Sequence, residues 1–160
     1  MNRSPEFHLR EATAADAELL SRLIISAFST YEVRLDPPSS SLKETPDAIR
    51  AKFATHGGAI AESEGKAVGC VLFTPEEDSV LYVGRLAVDP MWRRRGVARA
   101  LIAYAELEAR RRGRDTLRIQ VRIPLVSNQQ LFKSCGFVEV SRETHPGYTA
   151  PTTIRMEKRL

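Results

Sequence analysis

One run of residues, Arg93-Arg94-Arg95-Gly96-Val97-Ala98-Arg99, concentrates the chemistry of this chain. The guanidiniums of Arg93, Arg94, Arg95 and Arg99 offer forked donors that suit phosphate oxygens. Gly96, with no Cβ, lets the backbone itself come close to an anion. Directly afterwards Ala98, Leu101, Ile102, Ala105 and Ala109 recur at helical spacing, opposite the polar Arg99, Glu106, Glu108 and Arg110, so the run opens a helix. The first turn of a helix has N–H groups without intrahelical partners and a partial positive charge from aligned peptide dipoles. A basic, glycine-containing loop leading into such a turn is a seat for a compact anion. A solvated charge run followed by a simple turn is the plainer alternative.

The element that delivers this loop is Val80-Leu81-Tyr82-Val83-Gly84-Arg85-Leu86-Ala87-Val88, rich in β-branched and aromatic residues and closed by Asp89-Pro90, a pattern that predicts a buried strand. Strand, anion loop and helix thus follow one another. Neither G-x-G-x-x-G nor G-x-x-x-x-G-K-[ST] is present, so the common nucleotide loops are excluded. Charge is divided unevenly along the chain: residues 85–122 carry a net +7, residues 1–84 a net −5 and residues 123–160 a net +2. Basic charge therefore gathers around the candidate anion loop. A nucleic-acid reader could show the same clustering, but no reading module is present and no aromatic apart from Trp92 interleaves with the arginines, so no nucleic-acid partner is expected.

The other elements read in order as a mixed succession. Phe7–Arg10 alternates as a short strand, and Ala15–Phe28 carries Leu19, Leu20, Leu23, Ile24 and Ala27 at helical spacing with Thr13 or Asp16 near its start. Ser29–Glu44 lacks a period and reads as a loop. Thr45-Pro46-Asp47 opens a second helix, with a cap, a first-turn proline and an acid facing the dipole, that runs to about His56-Gly57-Gly58. Ala59–Glu62 and Ala67–Thr74 form a hairpin around Ser63-Glu64-Gly65-Lys66, and a further turn at Pro75-Glu76-Glu77-Asp78 leads to the central strand, so these three strands are antiparallel. The helix after Gly96 stops near Arg112-Gly113, and Thr116–Val121 returns parallel to the central strand. Phe137–Glu143 and Thr152–Glu157 complete the pattern. The expected fold is α/β, layered, with a mostly antiparallel sheet of about six or seven strands and about four helices.

The chain has 160 residues with 42% hydrophobic content, which fits a single domain over 1–160. Cys70 and Cys135 are far apart and read as reduced thiols, and three scattered histidines give no metal-ligand spacing. Met1-Asn2-Arg3-Ser4-Pro5-Glu6 has no leader-like apolar segment and no run approaches membrane-spanning length, so a cytoplasmic protein without a membrane partner is expected.

Arg93-Arg94-Arg95-Gly96-Val97-Ala98, following Leu86-Ala87-Val88-Asp89-Pro90, resembles the acetyl-CoA signature of the GNAT superfamily of N-acyltransferases: Arg or Gln, any two residues, Gly, any residue, then Gly or Ala. Asn128-Gln129-Gln130-Leu131-Phe132-Lys133-Ser134-Cys135-Gly136-Phe137 is similar to that family's later pattern of Asn, two residues, an apolar-aromatic pair, three residues, then Gly-Phe. The resemblance runs from Phe7 to the end of the chain.

It implies an N-acetyltransferase that moves the acetyl group of acetyl-CoA directly to a primary amine, without metal, and a homodimer is common in that family. By resemblance, Leu86, Ala87 and Val88 lie on a bulged strand whose backbone pairs with the pantetheine arm. Arg93 counts among the cofactor-binding residues, the backbone amides of Arg94, Arg95, Gly96, Val97, Ala98 and Arg99 would hold the pyrophosphate, Asn128 and Phe132 would flank the pantetheine and the thioester, and the N–H of Val88 would polarise the carbonyl. Two departures bear on proton transfer. Phe132 stands where many members have a proton-giving tyrosine, and Tyr82 or Gly84 stands where several have a glutamate base. Tyr82 and Tyr148, with His145 beside the latter, are the remaining candidates for catalysis. A CoA-binding sensor that has lost turnover is the alternative from another class. The acidic balance of the N-terminal part, including Glu32 and Asp36, favours a cationic acceptor.

Overall fold

A computed structural model describes residues 6–31, 33–77 and 79–160. Strand β1 (His8–Glu11) leads through a single 3-10 turn (Ala14–Asp16) into helix α1 (Ala17–Ser29). The carboxylate of Asp16 accepts the N–H of Thr13 and two N–H groups of Arg10, so the entry to α1 is held by an acid rather than a hydroxyl cap. Leu20 and Ile24, a turn apart, are fully buried. The expected loop before α2 contains a 3-10 turn over Ser40–Lys43, started by Ser39, whose hydroxyl accepts from the N–H of Ser41. Helix α2 (Pro46–Lys52) is capped as the sequence predicts, Thr45 accepting from the N–H of Ala48, but it stops at Phe53 instead of reaching His56-Gly57-Gly58.

Strands β2 (Gly57–Ser63), β3 (Lys66–Glu76) and β4 (Val80–Val88) form an antiparallel meander, with β1 on its outer edge. Helix α3 (Val97–Arg111) crosses to β5 (Thr116–Arg122), which pairs parallel to β4. Helix α4 (Val126–Ser134), β6 (Val138–Glu143) and β7 (Thr153–Arg159) follow, and the seven-stranded sheet has the order β1-β2-β3-β4-β5-β7-β6. The mixed, mostly antiparallel sheet with four helices is the architecture expected from the sequence.

Two apolar layers cover the sheet. One gathers Phe73, Leu81, Val97, Leu101, Leu117 and Met156 between the sheet and α3, and the other gathers Leu20, Ile24, Ile49, Ile60 and Cys70 under α1 and α2. At Gly69 a Cβ would sit 2.7 Å from Val97 Cγ1 and 3.1 Å from the Ala87 carbonyl oxygen, so the missing side chain lets α3 and β4 close on β3.

Two irregularities in β4 make the site. The register passes from Leu72↔Gly84 to Cys70↔Ala87, which leaves one extra residue on β4. Arg85 absorbs it with a left-handed φ of 51°. The ladder to β5 covers only Val80, Tyr82 and the residue between, against Thr116–Arg118. Beyond Tyr82 the two strands part, and the β5-facing edge of residues 83–88 has no strand partner among the described residues.

Candidate active site

The gap left by the parting strands is a cleft of about 1090 Å³. The C-terminal end of α1 and the loop after it form one wall, and the N-terminal turn of α3 with α4 forms the other. Leu86, Ala87, Val88, Arg93, Arg94, Gly96, Val97, Ala98, Arg99, Asn128, Phe132 and Tyr82 all line it, whereas Arg95 and Tyr148 do not.

The anion loop is built by short-range bonds. Asp89 Oδ1 accepts the N–H of Met91 at 2.8 Å, which starts a 3-10 turn over Pro90–Trp92. The Arg95 guanidinium lies 4.9 Å from the centre of the Trp92 ring and is used there. Arg94 and Gly96 take φ values of 62° and 83°, so the chain reverses twice before the helix begins. The first intrahelical bond is from the N–H of Ala100 to the carbonyl of Gly96, leaving the amides of Val97, Ala98 and Arg99 ahead of it at the mouth of the turn. A side chain on Gly96 would meet nothing within 4 Å, so the space over these amides is open.

The arginines divide their labour in a way their spacing does not show. Arg93 Nη2 donates to the Ala27 carbonyl at 3.2 Å and to Thr30 Oγ1 at 2.9 Å, tying the loop to the end of α1. Arg99 Nη2 donates to Ser134 Oγ at 2.8 Å, tying α3 to α4. Arg94 alone of the four has neither a hydrogen bond nor a ring partner for its side chain among the described residues, since Arg95 has the Trp92 ring. The open amides and Arg94 therefore fit a phosphate, while Arg93 and Arg99 brace the walls.

The thioester end is more apolar. Phe132 is 7% exposed and packs edge-to-face on Phe137 at 5.9 Å. Asn128, a turn earlier on α4, donates from Nδ2 to the hydroxyl of Tyr31 at 3.3 Å. Tyr31 is packed edge-to-face on Phe28, and burial raises its pKa, with Asn128 and the nearby Arg93 opposing. Since its oxygen accepts from Asn128, its own proton is left for another partner. Sequence reading passed over Tyr31 because it lies in an aperiodic loop, and only the fold brings it to α4.

Tyr82 is half-buried in the paired part of β4, and burial raises its pKa, so at neutral pH it is a phenol and not a base. The β6–β7 loop does fold over the cleft: His145 lines it, and the hydroxyl of Tyr148 donates to Asp36 across the mouth at 2.5 Å. Tyr148 is thereby a strap between two loops, outside the lining. Asp36 is occupied by that bond, and Glu32 lies outside the described residues. Cys70 is fully buried with its thiol pushed up to about 12 by desolvation, and Cys135 does not line the cleft, so neither is placed to attack a substrate.

Beneath the bulge, Arg85 donates from Nε to Glu44 at 2.8 Å and from Nη1 to Ser41 Oγ at 2.8 Å and Ser40 Oγ at 3.1 Å. This network anchors the loop before α2 to the bulged strand, and it gives the serines of that loop a purpose that their spacing conceals.

A model of the acetyltransferase (GNAT) family matches residues 26–137. Over 134 residues the chain is 26% identical to the aminoglycoside N(6')-acetyltransferase type 1 of Stenotrophomonas maltophilia, an alignment that spans 84% of this chain and 88% of that protein. Among solved structures, an acetyltransferase from Salmonella typhimurium with its cofactor acetyl-CoA superposes with a TM-score of 0.74 at 17% identity, covering 96% of this chain and 94% of the other. The ribosomal-protein-S18-alanine N-acetyltransferase of Escherichia coli gives 0.74 at 19% identity, with 96% and 94% covered. At these identities the structural likeness is one of fold. Among the described residues no helix is long and apolar enough to cross a membrane.

Proposed function

The chain belongs to the acetyltransferase (GNAT) family and is an acyltransferase, and from that premise we propose that it transfers the acetyl group of acetyl-CoA directly to a primary amine. The observation that carries this reading is the junction of two features in one cleft: an unpaired β4 edge beyond Tyr82 and the open amide turn of α3 at its far end. One suits an extended amide-bearing arm, and the other suits a pyrophosphate.

In this reading the amides of Val97, Ala98 and Arg99, with Arg94, hold the pyrophosphate. The edge at Leu86, Ala87 and Val88 takes the pantetheine arm, and Asn128 and Phe132 border the thioester, which supplies the activated acyl group when bound. The cleft then has to align the amine, polarise the acyl carbonyl and manage two protons. The Val88 N–H supplies the polarising donor. As the C–N bond forms and the C–S bond breaks, the amine gives up a proton and the sulfur takes one. Tyr31, with its hydroxyl proton uncommitted and its ring set by Phe28, gives the proton to sulfur in place of the tyrosine that Phe132 cannot replace. No carboxylate lines the cleft among the described residues, so the amine proton passes to water, and the Tyr31 phenolate regains its proton from solvent.

The test is calorimetric titration with CoA, together with release of free CoA thiol from acetyl-CoA against a panel of amines. Micromolar binding with thiol release that depends on an added amine is the expected result. A folded protein that fails to bind CoA overturns the reading.

A further inference from the structure

Away from the α3 turn the cleft runs toward the end of β5 and the β6–β7 loop, and the charges there are one-sided. Among the described residues, its ionisable lining at this end consists of Arg85, Arg122, Tyr31, Tyr82 and His145, with no Asp or Glu. The two arginines differ sharply. Arg85 is committed to Glu44 and two serines. The side chain of Arg122 has no hydrogen bond or ion pair among the described residues, and its Nε is closed off from solvent with no acceptor.

The nearby acids lie outside the lining. Asp36 accepts the Tyr148 hydroxyl and keeps its charge, favouring the charged form of Arg122 from there. Glu143 pairs with Arg155 at 2.7 Å and accepts from Gln120 Nε2 at 3.2 Å. Burial pulls the Arg122 guanidinium below its usual value, Tyr148 and Asp36 opposing, yet a guanidinium keeps its charge at any physiological pH. Arg122 lines the cleft, and its Nη groups likewise have no acceptor among the described residues, so a ligand that brings an acceptor to them recovers the cost of leaving a charged donor unpaired.

We propose that the acceptor amine also carries a carboxylate, and that Arg122 receives it. This rests on the acetyltransferase reading above and names the substrate class for the same cleft. The planar fork of Arg122 matches two carboxylate oxygens, which would fix the far end of the acceptor and leave its amine free toward the thioester end. A polycationic amine meets the opposite situation, since no Asp or Glu lines the cleft beside Arg122 among the described residues.

The experiment compares amino acids with their own carboxamides, and with an aminoglycoside, by thiol release and by calorimetric titration into the CoA-loaded protein. The wild-type protein should favour an amino acid over its carboxamide by roughly 30-fold or more in kcat/KM and in affinity, the scale of losing one partner of a buried charge pair. Arg122→Gln should erase that preference through the acid alone, leaving the carboxamide within about twofold, and Arg122→Lys should recover part of it. Melting curves and CoA affinity establish that each variant is folded. Equal or better use of the carboxamide or the aminoglycoside overturns the inference, as does the absence of both turnover and binding heat for every amino acid when CoA binds. Failure of CoA itself to bind strikes instead at the acetyltransferase reading.

Discussion

Replacing Gly96 by aspartate and by alanine separates the two uses of that position. Gly96 is the N-cap of α3 with φ 83° and ψ 5°, and an added Cβ meets nothing within 4 Å, so any cost of substitution is conformational. A non-glycine residue in this region costs about 1–2 kcal/mol. Aspartate enters this region at less cost than alanine, because its short polar side chain bonds locally to the backbone. Gly96→Asp should therefore melt within a few degrees of the wild type, and Gly96→Ala should melt about 3–6 °C lower.

Binding should follow the reverse order. The aspartate adds a negative charge beside the amides proposed for the pyrophosphate. Two unit charges about 5 Å apart at an effective dielectric near 20 repel by about 3 kcal/mol, which is more than 100-fold in Kd. Alanine adds no charge and takes no donor, so its CoA affinity should fall by less than about tenfold. Calorimetry with CoA on both variants, beside their melting curves, reads the two quantities separately. A folded Gly96→Asp protein with wild-type CoA affinity would refute the placement of the anion on this turn, and equal losses for Asp and Ala would refute the electrostatic account.

Three further substitutions probe other links in the argument. Tyr31→Phe should lower kcat about 100-fold while leaving CoA affinity unchanged, and an unaltered kcat would mean that the thiolate leaves without this phenol. Glu44, whose side chain is 4% exposed, holds Arg85 at 2.8 Å and Lys52 at 3.6 Å; Glu44→Gln should cost about 1–3 kcal/mol, read as a lower denaturant midpoint. Hydrogen bonds from Arg10 hold the Asp16 carboxyl below the usual carboxylate range, so its contribution is complete above about pH 4 and disappears as pH falls through the folded pKa. Asp16→Asn should therefore lower the melting temperature at pH 7 and flatten its acid limb, and an unchanged acid limb would remove Asp16 from the account.

Features that depend on neighbours along the chain can be read from residue order alone. Apolar spacing is set by helix and strand geometry, so α1, α3, β4 and β5 were legible from Leu20 and Ile24, from Leu101 and Ala105, and from the alternation over residues 116–121. Gly96 after three arginines and before a helix disclosed the anion turn, because its amides belong to consecutive residues. Thr45-Pro46-Asp47 declared the start of α2, whereas its end did not follow from composition, since the helix unwinds at Phe53 well before the glycines.

Tertiary structure decided whatever depends on residues distant in sequence. Arg93, Arg94, Arg95 and Arg99 read as equivalent phosphate donors, but a donor is spent wherever the fold puts an acceptor: Arg93 meets the end of α1, Arg95 meets Trp92, Arg99 meets Ser134, and Arg94 is left. Tyr31 and Asn128 are joined only by folding, as are Tyr148 and Asp36, so no local pattern could mark one as a candidate proton donor and the other as a strap. The net charge of the N-terminal part is a sum over sequence, which cannot register that Glu44 is neutralised by Arg85 or that Asp36 stands outside the cleft lining. Electrostatic selectivity belongs to the charges left unpaired in the cleft, and pairing is a property of the fold.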